Sequence, residues 1–158
     1  MKKIRTIIAA VILAVTMLVP APAYAAGKAV NLTMEDVSSR ISARKAKKLA
    51  RRIGGMRKIR SSKYRTACYK GNKVYIGVNN VNPSPTRPFL YIRNNGNRRL
   101  KYKGVKIGAG KSSVDRKFGT GWKSGKNQYV YGPAGFTLRC WFKNGRLKKW
   151  TYTAAYTS

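Results

Sequence analysis

Phe136-Thr137-Leu138-Arg139-Cys140-Trp141-Phe142, then Lys143-Asn144-Gly145-Arg146, then Leu147-Lys148-Lys149-Trp150-Thr151-Tyr152: this stretch decides the fold class. Its two flanks are rich in aromatic and β-branched residues, the composition of strands. Between them, Asn-Gly supplies the positive φ angles of a tight hairpin turn, the strongest turn signal in the chain. The reading is therefore a β-hairpin, and with Tyr129-Val130-Tyr131 ahead of it an antiparallel meander.

Further toward the N-terminus the same period of two recurs. Residues 64–69 and 74–78 read as a hairpin around Lys70-Gly71-Asn72-Lys73. Residues 79–88 hold Pro83, Pro85 and Pro88 and cannot keep a regular ladder. Phe89-Leu90-Tyr91-Ile92-Arg93 returns to strand, Asn94-Asn95-Gly96-Asn97 turns, and residues 100–107 form a further strand. A short helix is expected over 112–118, closed by Gly119, with Ser112 or Ser113 near its N-cap.

Before residue 54 the period is helical. In Leu32-Thr33-Met34-Glu35-Asp36-Val37, Thr33 and Asp36 have the spacing of a capping box, and Leu32 and Val37 that of a hydrophobic staple. Two of the chain's three acids thus fall in a first helical turn, where the macrodipole favours negative charge. The helix is expected to run over 33–53, with Val37, Ile41, Ala46, Leu49, Ala50 and Ile53 as its apolar stripe and Gly54-Gly55 as its end. Arg40, Arg44, Lys45, Lys47, Lys48, Arg51 and Arg52 fall on its other face. A solvated face normally mixes charge signs to avoid repulsion at i and i+4. This one is all cations, so these seven residues are the candidate anion-binding site. The fold class is α+β: an N-terminal amphipathic basic helix and a short second helix packed on an antiparallel sheet of hairpins.

Two stretches echo each other. Arg51-Arg52-Ile53-Gly54 followed by Cys68-Tyr69-Lys70-Gly71-Asn72-Lys73-Val74 parallels Arg116-Lys117-Phe118-Gly119 followed by Cys140-Trp141-Phe142-Lys143-Asn144-Gly145-Arg146-Leu147. The reading is either a tandem duplication with copies over 33–79 and 100–153, or a chance likeness of two basic hairpins. Cys68 and Cys140 likewise leave two readings: a disulfide joining the hairpins, or two separate core thiols.

Gly104-Val105-Lys106-Ile107-Gly108, Ser112-Ser113-Val114 and Phe118-Gly119, followed by a three-stranded meander ending in Lys143-Asn144-Gly145-Arg146-Leu147, resemble the repeat of the β-lactamase-inhibitor-protein-like fold. That fold is shared with small outer-membrane assembly lipoproteins and other exported bacterial domains. The resemblance covers roughly residues 100–153 and implies a binding or scaffolding module without catalytic residues. The chain departs from the lipoprotein branch by lacking an anchor cysteine, and from the inhibitor branch by its charge, so neither branch's partner carries over.

Charge bounds the function. The 158 residues hold 35 Lys and Arg against three acids, a formal net charge of +32. Met1-Lys2-Lys3-Ile4-Arg5, the apolar run of 7–19 and Ala23-Tyr24-Ala25 read as a cleaved signal peptide over 1–25, too short in its apolar part to span a bilayer. Cleavage would remove three cations and no acid, leaving +29 on residues 26–158, read as one domain with no integral membrane span and either secreted or associated with the cell wall. Sixteen aromatics in that part argue for a packed core rather than a disordered polycation.

With no histidine, neither a catalytic dyad or triad built on His nor a His-ligated metal site is available, and three acids make no carboxylate cluster. No enzyme activity, metal or cofactor is expected. Gly108-Ala109-Gly110-Lys111-Ser112 resembles a phosphate loop, but the outer Gly that motif requires falls on Val105. The expectation is an exported, non-enzymatic binding protein for an anionic cell-envelope polymer such as teichoic acid, lipopolysaccharide or glycan. The alternatives are an extracellular nucleic-acid-binding protein or a cationic membrane-active protein.

Overall fold

The computed structural model describes residues 28–37, 41–59, 67–79, 89–133 and 135–155. The expected signal segment and Arg40 lie outside the described residues. Among the described residues, ten strands and three helices follow in the order β1 (Val30–Leu32), α1 (Met34–Val37), α2 (Ala43–Ile53), β2 (Met56–Ile59), β3 (Ala67–Gly71), β4 (Val74–Val78), β5 (Leu90–Asn94), β6 (Leu100–Tyr102), α3 (Lys111–Phe118), β7 (Trp122–Gly125), β8 (Gln128–Tyr131), β9 (Phe136–Lys143) and β10 (Arg146–Ala154). The α+β class is as expected. Eight of the strands form one antiparallel sheet in the order β2-β3-β4-β5-β10-β9-β8-β7, while β1 and β6 pair in parallel apart from it.

The register sorts side chains into two faces, because neighbours along a strand point to opposite sides. Tyr69, Ile76, Ile92, Tyr152, Leu138 and Tyr131 are successive cross-strand partners from β3 to β8. All six are buried in one core. The same core takes Ala46, Leu49, Ala50 and Ile53 of α2 and Val114 of α3, so both helices lie on this face. Tyr102 joins it through a stacked contact with Phe118, centroids 5.5 Å apart, and a tilted one with Tyr152 at 5.1 Å.

The single helix expected over 33–53 is two. Thr33 and Asp36 form the expected box around α1: the Thr33 N–H donates to Asp36 Oδ2 at 3.0 Å and the Asp36 N–H donates to Thr33 Oγ1 at 3.3 Å. The chain then leaves the helix, and Ser42, in extended conformation at ψ 160°, caps α2 by accepting the Lys45 N–H at 3.2 Å. Serine competes with the helix for backbone hydrogen bonds and favours the cap over the interior, as Ser42 does here. Both acids therefore fall within α1, and the first turn of the basic helix holds none.

The strand expected over 100–107 stops at Tyr102. Lys103 and Gly104 turn at φ 47° and 81°, and Tyr102 and Val105 exchange backbone hydrogen bonds across them. At α3 the cap is Gly110 without a side-chain bond, rather than Ser112 or Ser113.

Each half of the large sheet is a helix followed by four strands, α2 with β2 to β5 and α3 with β7 to β10, and the halves meet where β5 pairs with β10. The two cysteine-bearing hairpins hold different places in this order. β3 and β4 are the second and third strands of their half, β9 and β10 the third and fourth.

Candidate anion-binding surfaces

Helix α2 buries one stripe and exposes the rest. Six of the seven expected residues, Arg44, Lys45, Lys47, Lys48, Arg51 and Arg52, are exposed along it; Arg40 lies outside the described residues. From Arg44 to Arg52 the axis advances roughly 12 Å at the usual helical rise. Arg51 and Arg52 sit in the last turn, where the macrodipole favours cations. Arg44 and Lys45 sit in the first turn, which has no acid and where the dipole opposes them. Helix stability therefore does not account for those two charges.

Among the described residues, one of the six has a carboxylate partner. Arg52 Nη1 donates to Asp36 Oδ1 at 3.1 Å, tying the end of α2 to α1. Burial pulls the Asp36 carboxyl upward, but the Thr33 N–H and the Arg52 guanidinium outweigh it and hold the carboxyl below its ordinary value. A cavity of about 330 Å³ opens here, lined by Asp36, Ile41, Lys45, Lys48, Leu49 and Arg52.

The second cationic surface was not found in the sequence. One position away from the buried row, on the opposite face of the sheet, Arg57, Lys70, Tyr75, Arg93, Thr151, Arg139, Val130 and Trp122 are successive partners across all eight strands. Arg57, Lys70, Arg139 and Trp122 are exposed, and Trp122, at 71% exposure, is the most open large apolar side chain among the described residues. Arg93 lies half-buried with its guanidinium carbon 5.7 Å from the centre of the Tyr75 ring. Beside the row, Lys149 Nζ stands 4.2 Å from the Trp141 ring centre. No acidic residue occurs in any strand of this sheet. Alternation within each strand hinted at these cations, but their alignment depends on which strands pair and in what register.

No known protein family, curated protein or solved structure matches this chain. The functional reading therefore rests on its own geometry.

The segment resembling a phosphate loop is stitched to β10. Gly108 donates to the Leu147 carbonyl at 2.7 Å, and Leu147 donates back to that of Ala109 at 2.8 Å. Lys111 Nζ turns onto its own helix, 2.6 Å from Asp115 Oδ2 and 4.3 Å from the Tyr129 ring centre. The Tyr131 hydroxyl donates to Asp115 Oδ1 at 2.8 Å. A lysine held this way ties α3 to β8 and is not presented to a phosphate.

Cys68 and Cys140 are both buried and free. The disulfide reading fails on topology, because β4, β5 and β10 lie between β3 and β9. Four strand spacings amount to about 19 Å, against a Cα separation below about 7 Å for a disulfide. Cys140 lies in the core, where burial and the nearby Asp115 charge push its thiol up to about 12. Cys68 faces the other way and accepts the Tyr75 hydroxyl at 3.3 Å. Among the described residues no helix is long and apolar enough to cross a membrane, and no three His, Cys, Asp or Glu residues come together.

Proposed function

We propose that this is an exported, non-enzymatic binding protein for an anionic cell-envelope polymer, with α2 as a principal contact. The observation that carries the reading is the exposure of six cations on α2, of which, among the described residues, Arg52 alone is paired with a carboxylate. A helix face of one sign is self-repelling, and a polyanion removes that repulsion while releasing its counterions. The signal-like N-terminus supports export to where such polymers are found. Kinship with the β-lactamase-inhibitor-protein-like fold, resting on the sequence resemblance over 100–153, is held as part of the proposal.

Membrane insertion through residues 33–53 is the weaker reading. The apolar stripe of α2 is already buried in the core and would have to be withdrawn from it to enter lipid.

Single exposed ion contacts are worth on the order of 1 kcal/mol or less, so useful affinity needs several at once. Changing Arg44, Lys47, Lys48 and Arg51 together to Gln should weaken binding to the preferred polymer far more than any single change. Glutamine is a good helix former and the Ser42 cap is untouched, so α2 should persist. The control changes Lys106, Arg116, Lys117 and Lys126, all exposed, and removes equal charge. Binding is measured side by side on purified cell wall, lipopolysaccharide and nucleic acid at several salt concentrations, since every polyanion weakens with salt. Equal losses in the two quadruple variants would mean that overall charge, not α2, does the binding. Preference for nucleic acid would replace the envelope reading.

A further inference from the structure

We propose that the face of the eight-stranded sheet opposite the helices, exposed at Arg57, Lys70, Arg139 and Trp122 and closed at Thr151 between them, is a second, linear binding track for an acidic polysaccharide, one whose sugar rings carry carboxylates. The proposal rests on the reading that the protein binds an envelope polyanion, and adds where and with what chemistry.

The track is a consequence of register. Arg57, Lys70, Arg93 and Arg139 stand on the first, second, fourth and sixth strands of the sheet order, and Trp122 on the eighth. With neighbouring strands about 4.8 Å apart, the line from Arg57 to Trp122 is about 34 Å long. A sheet of this width twists by roughly 20° or more per strand, so the line winds, which suits a flexible chain better than a flat rigid surface. The strands contain no carboxylate, so nothing within them neutralises the row.

The aromatic end decides the chemical class. Trp122 is 71% exposed, an open π-face at the end of a cationic line. Such a face carries negative quadrupole charge and takes the C–H face of a sugar ring or a nucleobase, whereas a ring-free polyol phosphate or polyphosphate offers it nothing. Nucleic-acid strands are held by aromatic platforms for successive bases. Here the next aromatic in the row is Tyr75, five strands away, with Val130, Arg139, Thr151 and Arg93 between. The ring of Trp141 nearby is faced by Lys149. One stacking site with spaced arginines and lysines fits a chain of sugars bearing intermittent charge.

The test uses the chain from residue 26 to 158 with three labelled probes of similar length: alginate oligomers, polyphosphate and poly-dT. The row variant carries Arg57→Gln, Lys70→Gln and Arg139→Gln; the charge-matched control carries Lys106→Gln, Arg116→Gln and Lys117→Gln. Alginate affinity should fall roughly tenfold or more in the row variant and by less than about threefold in the control. Trp122→Ala should weaken alginate binding and leave polyphosphate unchanged, and bound alginate should protect Trp122 from acrylamide quenching. Should the triple variant fold poorly by circular dichroism, the exposed Trp122→Ala variant and the quenching measurement carry the test alone. Equal losses in row and control variants, equal effects of Trp122→Ala on both polyanions, or tighter binding of poly-dT than of alginate would each overturn the track. If polyanions bind through α2 while the row is indifferent, the track fails and the proposed function stands. If no polyanion binds at moderate salt, both fail.

Discussion

Asn94 is fully buried, and its side chain does the work of a turn. Its Oδ1 accepts the N–H groups of Gly96 and Asn97 at 3.0 and 2.7 Å, and its Nδ2 donates to the carbonyls of Asn97 and Leu100 at 2.9 and 3.2 Å. Asn97 continues the network, accepting from Arg99 and Leu100 and donating to the Asn72 carbonyl at 3.0 Å. A buried amide with all its bonding capacity used is structural, since nothing is left over for a ligand. Asn94→Ala would leave several backbone groups without partners, a loss of about 2–3 kcal/mol in urea unfolding, with α2-dependent polyanion binding unchanged at temperatures where the fold persists.

At the scale of elements, Asp115 fastens α3 to the sheet. Burial raises its carboxyl, but the bonds from Lys111 and the Tyr131 hydroxyl outweigh this and the net shift is below the ordinary 3.8. A carboxylate whose pKa is lower in the folded chain stabilises it above the ordinary value, and that contribution is lost as pH falls through the lower, folded value. Wild type should therefore be more stable than Asp115→Asn at pH 7, and the gap should narrow in acid, at pH values below the ordinary 3.8. Urea unfolding of both proteins at the two pH values measures it; a gap that stays constant would mean that charge at Asp115 is irrelevant. Asp36 carries the same sign through Thr33 and Arg52, so acid should loosen the α1–α2 corner as well.

At the scale of the molecule, the sheet holds its two thiols far apart and the helices occupy one face. Alkylation after unfolding without reductant should find two free thiols per chain, and mobility in a non-reducing gel should match that of the reduced protein. In the native state Cys140 should resist iodoacetamide at pH 8, because burial keeps it a thiol and the thiolate is the nucleophile. A mass two units low, or a shift in mobility, would contradict the strand order. The same architecture places the two candidate surfaces on opposite layers, α2 over one face and the cationic row on the other, so changes to the two sites should add in their effects on binding.

The sequence by itself determined what is encoded within a few residues. The Asn144-Gly145 hairpin, the alternation of β9 and β10, the Thr33–Asp36 box and the excess of cations were all legible, because turn chemistry, capping and charge act locally. Even there it missed β2 and β7, four-residue strands too short to show a period, and joined α1 to α2 across Ser42, the cap of the second. The line from Arg57 to Trp122 was decided by tertiary structure alone, as was the separation of Cys68 from Cys140. Both depend on which strands neighbour each other and on a register in which a slip of one residue would exchange the faces; strand order and register are set by burial of Tyr69, Ile76, Ile92, Tyr152, Leu138 and Tyr131 in one shared core, a condition no local stretch contains.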